Sequence, residues 1–265
     1  MRDSPQSELM PAVFVSHGSP MVAIQSGPYQ DALAEFGRAT KPKAIVAISA
    51  HWGSGDTIGI TASGRHSTIH DFGGFSPELY TLTYDAPGSP EMAENIAQLL
   101  QNAGCKTGTS NDRGLDHGVW IPLRLIYPQA DIPVVALSIP LQSSPQELYR
   151  LGEALAPLRR DGVLILGSGG IVHNLRLVNF ADQHAPVEKW AEEFDTWFRV
   201  AVEHHNLTAL FDFANTGPHA RLAVPTYEHF APVFPVLGAG GTGSASTIYA
   251  GFEHGNISMR SFSIG

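Results

Sequence analysis

Three histidines of this 265-residue chain share one local setting, because each follows an apolar run after a few small residues. They are His17, His51 and His173. The apolar runs before them are residues 12–15, 44–50 and 163–167. Such runs are typical of buried strands, and open α/β sheets bind ligands outside the carboxyl ends of their strands. We therefore expect the three imidazoles to converge on one metal ion.

Two further histidines stand beside residues that favour a site. His117 lies at a predicted helix start next to Gly118, and a helix N-terminus favours bound anions. His229 follows Glu228, and either side chain could ligate a metal. Imidazole ligands suit zinc and iron alike, and two histidines with one carboxylate suit non-haem Fe(II). The spacing is long-range throughout, so it leaves the choice between Zn²⁺ and Fe²⁺ open.

Most isolated histidines in proteins are surface residues or structural donors rather than ligands. This interpretation is favoured for six histidines in polar contexts, namely His66, His184, His204, His205, His219 and His254.

Composition excludes several classes of partner. Sixteen basic residues stand against 25 acidic ones, which gives a formal net charge of −9, and no Lys/Arg run interrupts the balance. Neither nucleic acid nor an anionic membrane surface is an expected partner. Cys105 is the only cysteine, so the chain forms no internal disulfide, and we predict a reduced, cytoplasmic setting. No apolar stretch approaches the roughly 20 residues that span a bilayer.

The order of predicted elements indicates the fold class. Strands are predicted at 12–15, 44–50, 57–61, 134–139 and 163–167, and helices at 29–38, 90–102, 116–127, 145–159 and 186–205. Alternating strands and helices favour a three-layer α/β domain, with a central mostly parallel or mixed sheet flanked by helices. We assign residues 1–10 to a loose leader, with Met10 as a possible alternative start, and 11–265 to a single domain.

Three segments are interpreted with alternatives or from composition alone. Residues 79–84 alternate apolar and polar side chains, which predicts either a strand or a lid. The glycine-rich segment 238–246 lacks the lysine of a phosphate-binding loop, so we predict a flexible loop. Segments 246–252 and 257–264 are expected to form two strands at an antiparallel edge of the sheet.

At the same residues the chain resembles the 4,5-DOPA extradiol dioxygenase family, a branch of the class III ring-cleaving dioxygenases. The matching segments run in order through nearly the whole chain. They are 16–20 (SHGSP), 48–52 (ISAHW), 70–75 (HDFGGF), 84–88 (YDAPG), 115–120 (LDHGVW), 167–174 (GSGGIVHN) and 228–232 (EHFAP). The resemblance implies an α/β fold, one active-site metal, and opening of a catechol ring with O₂ as co-substrate.

The resemblance also implies a role for each site residue. His17, His51 and His229 resemble metal ligands, and His173 resembles a residue that lies beside or on the metal and takes a proton. His117 resembles the acid/base that later donates one. One departure is that the wider class completes its iron site with a carboxylate, whereas His229, with Glu228 adjacent, occupies the matching position here.

A small aromatic diol also needs an apolar slot with few polar anchors. Trp52, Phe72 and Tyr227 are predicted as its aromatic walls and Trp120 is a further candidate, although a core position is favoured for Phe72 and Trp120. Asp116 and Asn174 are predicted to orient neighbouring imidazoles, and a role only as a helix cap is an equal alternative for Asp116. Two alternatives remain open from the residues alone, a zinc hydrolase on the same scaffold and a non-catalytic α/β module with structural histidines.

Overall fold

A computed structural model describes residues 9–265, so residues 1–8 of the predicted leader lie outside the described residues. Met10, at the end of that stretch, donates its backbone N–H to the carbonyl oxygen of Arg159 at 3.1 Å. No helix in residues 9–265 has the length and apolar character needed to cross a membrane.

Eight strands form one mixed sheet in the order β4-β3-β5-β2-β6-β1-β10-β7, and two short strands pair separately. The strands are β1 (Ala12–Ser16), β2 (Ala44–Ser54), β3 (Thr57–Thr61), β4 (Lys106–Ser110), β5 (Val134–Pro140), β6 (Val163–Gly169), β7 (Ala245–Tyr249), β8 (Phe252–Glu253), β9 (Ile257–Ser258) and β10 (Ser261–Ile264).

The four central strands, β5, β2, β6 and β1, run parallel. On one side β10 pairs antiparallel with β1 and β7 pairs antiparallel with β10, which confirms the predicted tail strands at an antiparallel edge. On the other side the parallel pair β3–β4 joins β5 in antiparallel orientation. Parallel order at the centre places the carboxyl ends of β1, β2 and β6 at one rim of the sheet.

Helices cover both faces of the sheet. They are α1 (Pro28–Ala39), α2 (Pro90–Asn102), α3 (His117–Ile126), α4 (Pro145–Leu155), α5 (Lys189–Glu203), α6 (Leu207–Phe211), α7 (Phe213–Thr216), α8 (Ala220–Ala223) and α9 (Val233–Gly240). Successive side chains of β1 point to opposite faces, so Val13 packs with α1 and α3 while Phe14 packs with α2, α4, α5 and α9. The predicted three-layer α/β architecture is confirmed.

Two local predictions were wrong. The glycine-rich segment begins inside α9, a fully buried helix, rather than in a flexible loop. A Cβ at Gly238 would overlap the carbonyl oxygen of Tyr149 in α4, so small residues there serve close helix packing. The segment 79–84 forms no strand, because residues 79–81 belong to a 3₁₀ helix, Pro77–Thr81, which buries Leu79.

Candidate metal centre

Five histidines meet at the rim where the parallel strands end. His17 follows β1, His51 lies near the end of β2, and His173 follows β6 after a short turn. His117 is the first residue of α3, and His229 lies in the irregular segment between α8 and α9. All five line one cavity of about 220 Å³. The sheet therefore brings together the histidines that the sequence placed far apart.

The rings are close enough to share one ion. The Nε2 atoms of His17 and His51 lie 3.1 Å apart. The ring of His229 lies 5.3 Å from that of His17 and 5.0 Å from that of His51. The ring of His173 stacks on His229 at 3.6 Å with an interplanar angle of 10°. His117 packs against His51 with ring centres 3.9 Å apart.

A glycine at the end of β6 makes the position of His229 possible. A Cβ at Gly169 would overlap the carbonyl oxygen of His229. The same oxygen accepts a hydrogen bond of 2.8 Å from the N–H of Gly170. The irregular segment can therefore lie directly on the strand end, because glycine permits the close approach of its backbone.

Asp71 holds two of the rings from behind. Its Oδ1 accepts from Nδ1 of His117 at 3.0 Å and from the backbone N–H of the same residue at 2.9 Å. Its Oδ2 lies 3.4 Å from Nδ1 of His51. A carboxylate at Nδ1 keeps the proton there and leaves Nε2 free as a ligand atom. Burial tends to raise the pKa of Asp71, but these contacts outweigh it and lower the pKa to about 2.

Two other side chains orient the rings of His17 and His229. Nδ1 of His17 hydrogen-bonds the hydroxyl of Ser168 at 2.9 Å. Nδ1 of His229 hydrogen-bonds Oε1 of Glu228 at 3.1 Å. The bond to His229 is the main influence that lowers the pKa of Glu228 to about 2. Glu228 therefore stands behind His229 as an ionised carboxylate that fixes the orientation of the ring.

Burial keeps the imidazoles of His17 and His51 neutral. Loss of water lowers the pKa of His17 well below its usual value, and the neighbouring rings lower it further. Burial, followed by the proximity of His117 and His229, lowers the pKa of His51 to about 3. Neutral imidazole is the form that binds a metal.

The donor set fits a divalent transition metal. Two nitrogens bound about 2.1 Å from one ion lie roughly 3.0 to 3.4 Å apart for angles between tetrahedral and square. The separation of 3.1 Å between Nε2 of His17 and Nε2 of His51 falls in that range. Potential ligand atoms of His17, His51 and His117 lie within 4.8 Å of one another, and so do those of His173, Glu228 and His229. Either group could hold a metal ion, and His17, His51 and His229 are drawn from both groups.

Residues 11–259 match the family described as the catalytic LigB subunit of aromatic ring-opening dioxygenase. The chain belongs to this family. It is 41% identical to a 4,5-DOPA dioxygenase extradiol of Beta vulgaris over 94% of each chain. It is 39% identical to the Escherichia coli protein of the same name, over 98% of this chain and 96% of that one. A crystal structure of an uncharacterized E. coli protein, 33% identical, superposes with a TM-score of 0.82 and covers 97% of this chain and 100% of that chain.

Family membership confirms the predicted ring-opening dioxygenase and does not favour the zinc hydrolase alternative. The match covers β1 to β9 and all of the histidines at the rim, so the whole cavity lies inside the shared region. Dioxygenases of the LigB family depend on a metal, in agreement with the clustered imidazoles.

Of the three predicted aromatic walls in this dioxygenase, only Phe72 lines the cavity. Its ring lies 5.6 Å from that of His117. Trp52 follows His51 in a part of β2 where the pairing register with β5 is irregular, and it does not line the cavity. The guanidinium of Arg113 lies 5.0 Å from the Trp52 ring centre instead.

Tyr227 also lies away from the cavity, inside an aromatic cluster of the core. Its ring stacks on Phe213 at 6.2 Å with an interplanar angle of 7° and lies 6.3 Å from Phe234. The short segment before α9 directs Tyr227 into this cluster while His229 turns toward the rim. Neighbouring residues in an irregular segment need not share a face, which sequence pattern alone did not reveal.

The residues predicted to orient the imidazoles were the wrong ones. Asp116 accepts from Ser49 at 2.6 Å and pairs with Arg113 at 3.0 Å. Asn174 donates to the carbonyl oxygen of Leu222 at 2.9 Å. Neither of these contacts involves a histidine ring, and Asp71, Glu228 and Ser168 take that position. The signal for Asp71 in the sequence is its place in the segment 70–75, between a histidine and two glycines.

Proposed function

We propose that this chain opens the ring of a catechol with O₂ at an Fe(II) ion held by His17, His51 and His229, with His173 beside or on the metal. The observation that carries the proposal is the convergence of these imidazoles at the base of one cavity in a ring-opening dioxygenase. When bound, Fe(II) supplies coordination of both catechol oxygens and electron transfer to O₂. Zinc has no redox chemistry, so iron rather than zinc is the active metal.

His173 is proposed as the base for a catechol hydroxyl. Burial and the adjacent His229 lower its pKa to about 3, so the ring is neutral in the folded chain. Its backbone N–H donates to the carbonyl oxygen of Ala223 at 2.9 Å, and its ring stacks on His229. Both contacts fix the ring at the cavity wall, and a positioned base contributes about 10²–10⁴ in rate.

His117 is proposed as the acid that donates a proton later in the reaction. Asp71 holds Nδ1 of His117, so Nε2 is the atom left for the cavity. His117 can therefore carry a proton at Nε2 and release it to a bound oxygen atom.

Metal exchange tests the proposal. Metal-free protein is loaded anaerobically with Fe(II) or with Zn(II), then mixed with aerated L-DOPA or unsubstituted catechol. O₂ uptake and the absorbance of ring-opened product should rise with Fe(II) only. L-DOPA is included because relatives are named for it. The absence of O₂ uptake from iron-loaded protein across several catechols would refute the proposal.

His173→Ala provides the matched test of the base. The variant should retain bound Fe(II), measured as metal per chain after gel filtration, and lose turnover by about 10²-fold or more. His184→Ala, which removes an exposed histidine, is the control and should behave like the parent. Unchanged turnover in His173→Ala would remove its assigned role.

A further inference from the structure

The open side of the histidine cavity is a collar of apolar side chains. The collar consists of Phe72, Phe75, Leu175, Phe180 and Ile257, which come from three separate segments. Two of its members are unusually exposed, since Phe180 is 68% and Leu175 is 53% accessible to solvent. Exposed apolar groups that continue directly into a cavity are typical of a ligand-binding surface.

The collar is held in place by the backbone around it. The N–H of Asn179 donates to the carbonyl oxygen of His254 at 3.1 Å, and the N–H of His254 donates to that of Gln183 at 2.8 Å. The side chains of Gln25 and Gln183 are hydrogen-bonded at 3.1 Å. Phe180 therefore projects from a fixed segment, and its ring rests 5.9 Å from that of His254.

We propose that this collar binds the ring substituent of the catechol and selects apolar substituents over those that carry a carboxylate. This inference rests on the proposed function, since it concerns the substituent of a catechol bound at the base. Transfer of an apolar chain from water into contact with Phe180 and Leu175 is favourable. A carboxylate in the same place would lose water without gaining a cationic partner, because no Lys or Arg of residues 9–265 lines the cavity. The chain's net charge of −9 adds to this preference.

Three catechols test the preference, two of which carry substituents of matched length. They are unsubstituted catechol, 4-propylcatechol, and 3-(3,4-dihydroxyphenyl)propionate, whose chain has the same length and ends in a carboxylate. Dissociation constants are measured anaerobically by calorimetry on the Fe(II)-loaded protein, and kcat/KM by O₂ uptake. We expect 4-propylcatechol to bind about tenfold more tightly than the propionate.

Variants of the collar assign the effect to its residues. Phe180→Ala should weaken binding of 4-propylcatechol by about tenfold and leave unsubstituted catechol within about twofold. Leu175→Arg should strengthen binding of the propionate by about tenfold through a new ion pair. Leu177→Arg is the matched control, because Leu177 belongs to the same segment and is 50% exposed but does not line the cavity. It should leave all three affinities within about twofold.

Two results would overturn the inference. One is equal affinity for 4-propylcatechol and the propionate, unchanged in Phe180→Ala. The other is tighter binding of the propionate that disappears in Arg176→Ala, which would show that this neighbouring guanidinium captures the carboxylate. Failure of the proposed function is a different result, because unsubstituted catechol would then be neither bound nor opened.

Discussion

The base and the collar of the cavity lie next to each other but are built in opposite ways. At the base, His17 is 2% and His229 is 8% exposed, and each ring is hydrogen-bonded at Nδ1. At the collar, Phe180 and Leu175 are more than half exposed and make no hydrogen bond through their side chains. Burial of polar rings is costly unless every polar atom has a partner, whereas exposed apolar groups need none.

This difference separates two tasks. The base depends on partners contributed from distant segments, such as Asp71 behind His51 and His117. A change there alters metal binding and the reaction itself. A change at the collar alters only the contacts that the protein makes with the substrate. Substitutions at the base should therefore have the largest effects, and substitutions beyond the collar the smallest.

His17→Ala should have the largest effect. His17 contributes one of the two closest Nε2 atoms and its removal leaves His51 without that neighbour. Removal of a residue that hydrogen-bonds a metal ligand typically weakens metal binding by up to about 100-fold. Because His17 is proposed as a ligand itself, we expect iron affinity to fall by more than that, and turnover to fall to background. Bound iron after dialysis and O₂ uptake measure both effects. If His17→Ala kept its iron and its turnover, the base would have to be assigned to other residues.

Asp71→Asn should have the next largest effect. The amide can accept from one ring but presents its NH₂ group to the other, so His51 and His117 cannot both keep a proton at Nδ1. Iron affinity should fall about 10- to 100-fold, with the fold retained. Competition with a chelator measures the affinity. Asp56→Asn is the control, because this exposed carboxylate pairs only with groups at the surface. An Asp71→Asn protein with parental iron affinity would show that the carboxylate does not act through the rings.

The sequence predicted the cluster of histidines better than it predicted the side chains that hold them. His17, His51 and His173 could be found because their apolar strands end at a common rim, a rule that depends on local pattern and parallel order. Asp71 lies in a segment that the sequence singled out, but no local pattern shows that this segment packs against His117 at the start of α3.

The pH dependence of stability should also distinguish base from collar. The pKa of His51 and of His173 is about 3 in the folded chain, against about 6.5 when unfolded. The unfolded state therefore binds more protons between these values, and stability falls as pH falls below about 6.5. Each imidazole contributes at most about 1.4 kcal/mol per pH unit in that window. Urea unfolding of the metal-free protein at pH 7.5 and 5.5 measures the loss.

Variants show which region produces this dependence. His51→Gln should reduce the loss of stability between pH 7.5 and 5.5, because it removes one titrating ring. Phe180→Ala should leave the loss as it is in the parent, since the collar side chain does not titrate. Equal pH dependence in His51→Gln and the parent would show that the buried rings do not control acid stability.

The smallest effects should come from aromatic residues outside the collar. The hydroxyl of Tyr227 is buried and has no hydrogen-bond partner among the described residues, so Tyr227→Phe should leave stability unchanged or raise it by about 1 kcal/mol. Tyr227→Phe should change the Kd of catechol by no more than about twofold. Phe72→Ala should weaken binding by about tenfold, because Phe72, unlike Tyr227, lines the cavity. Calorimetry on the iron-loaded variants measures both constants. A large loss in Tyr227→Phe with none in Phe72→Ala would mean that the substrate lies on the α9 side of His229, and the collar would then have no contact with it.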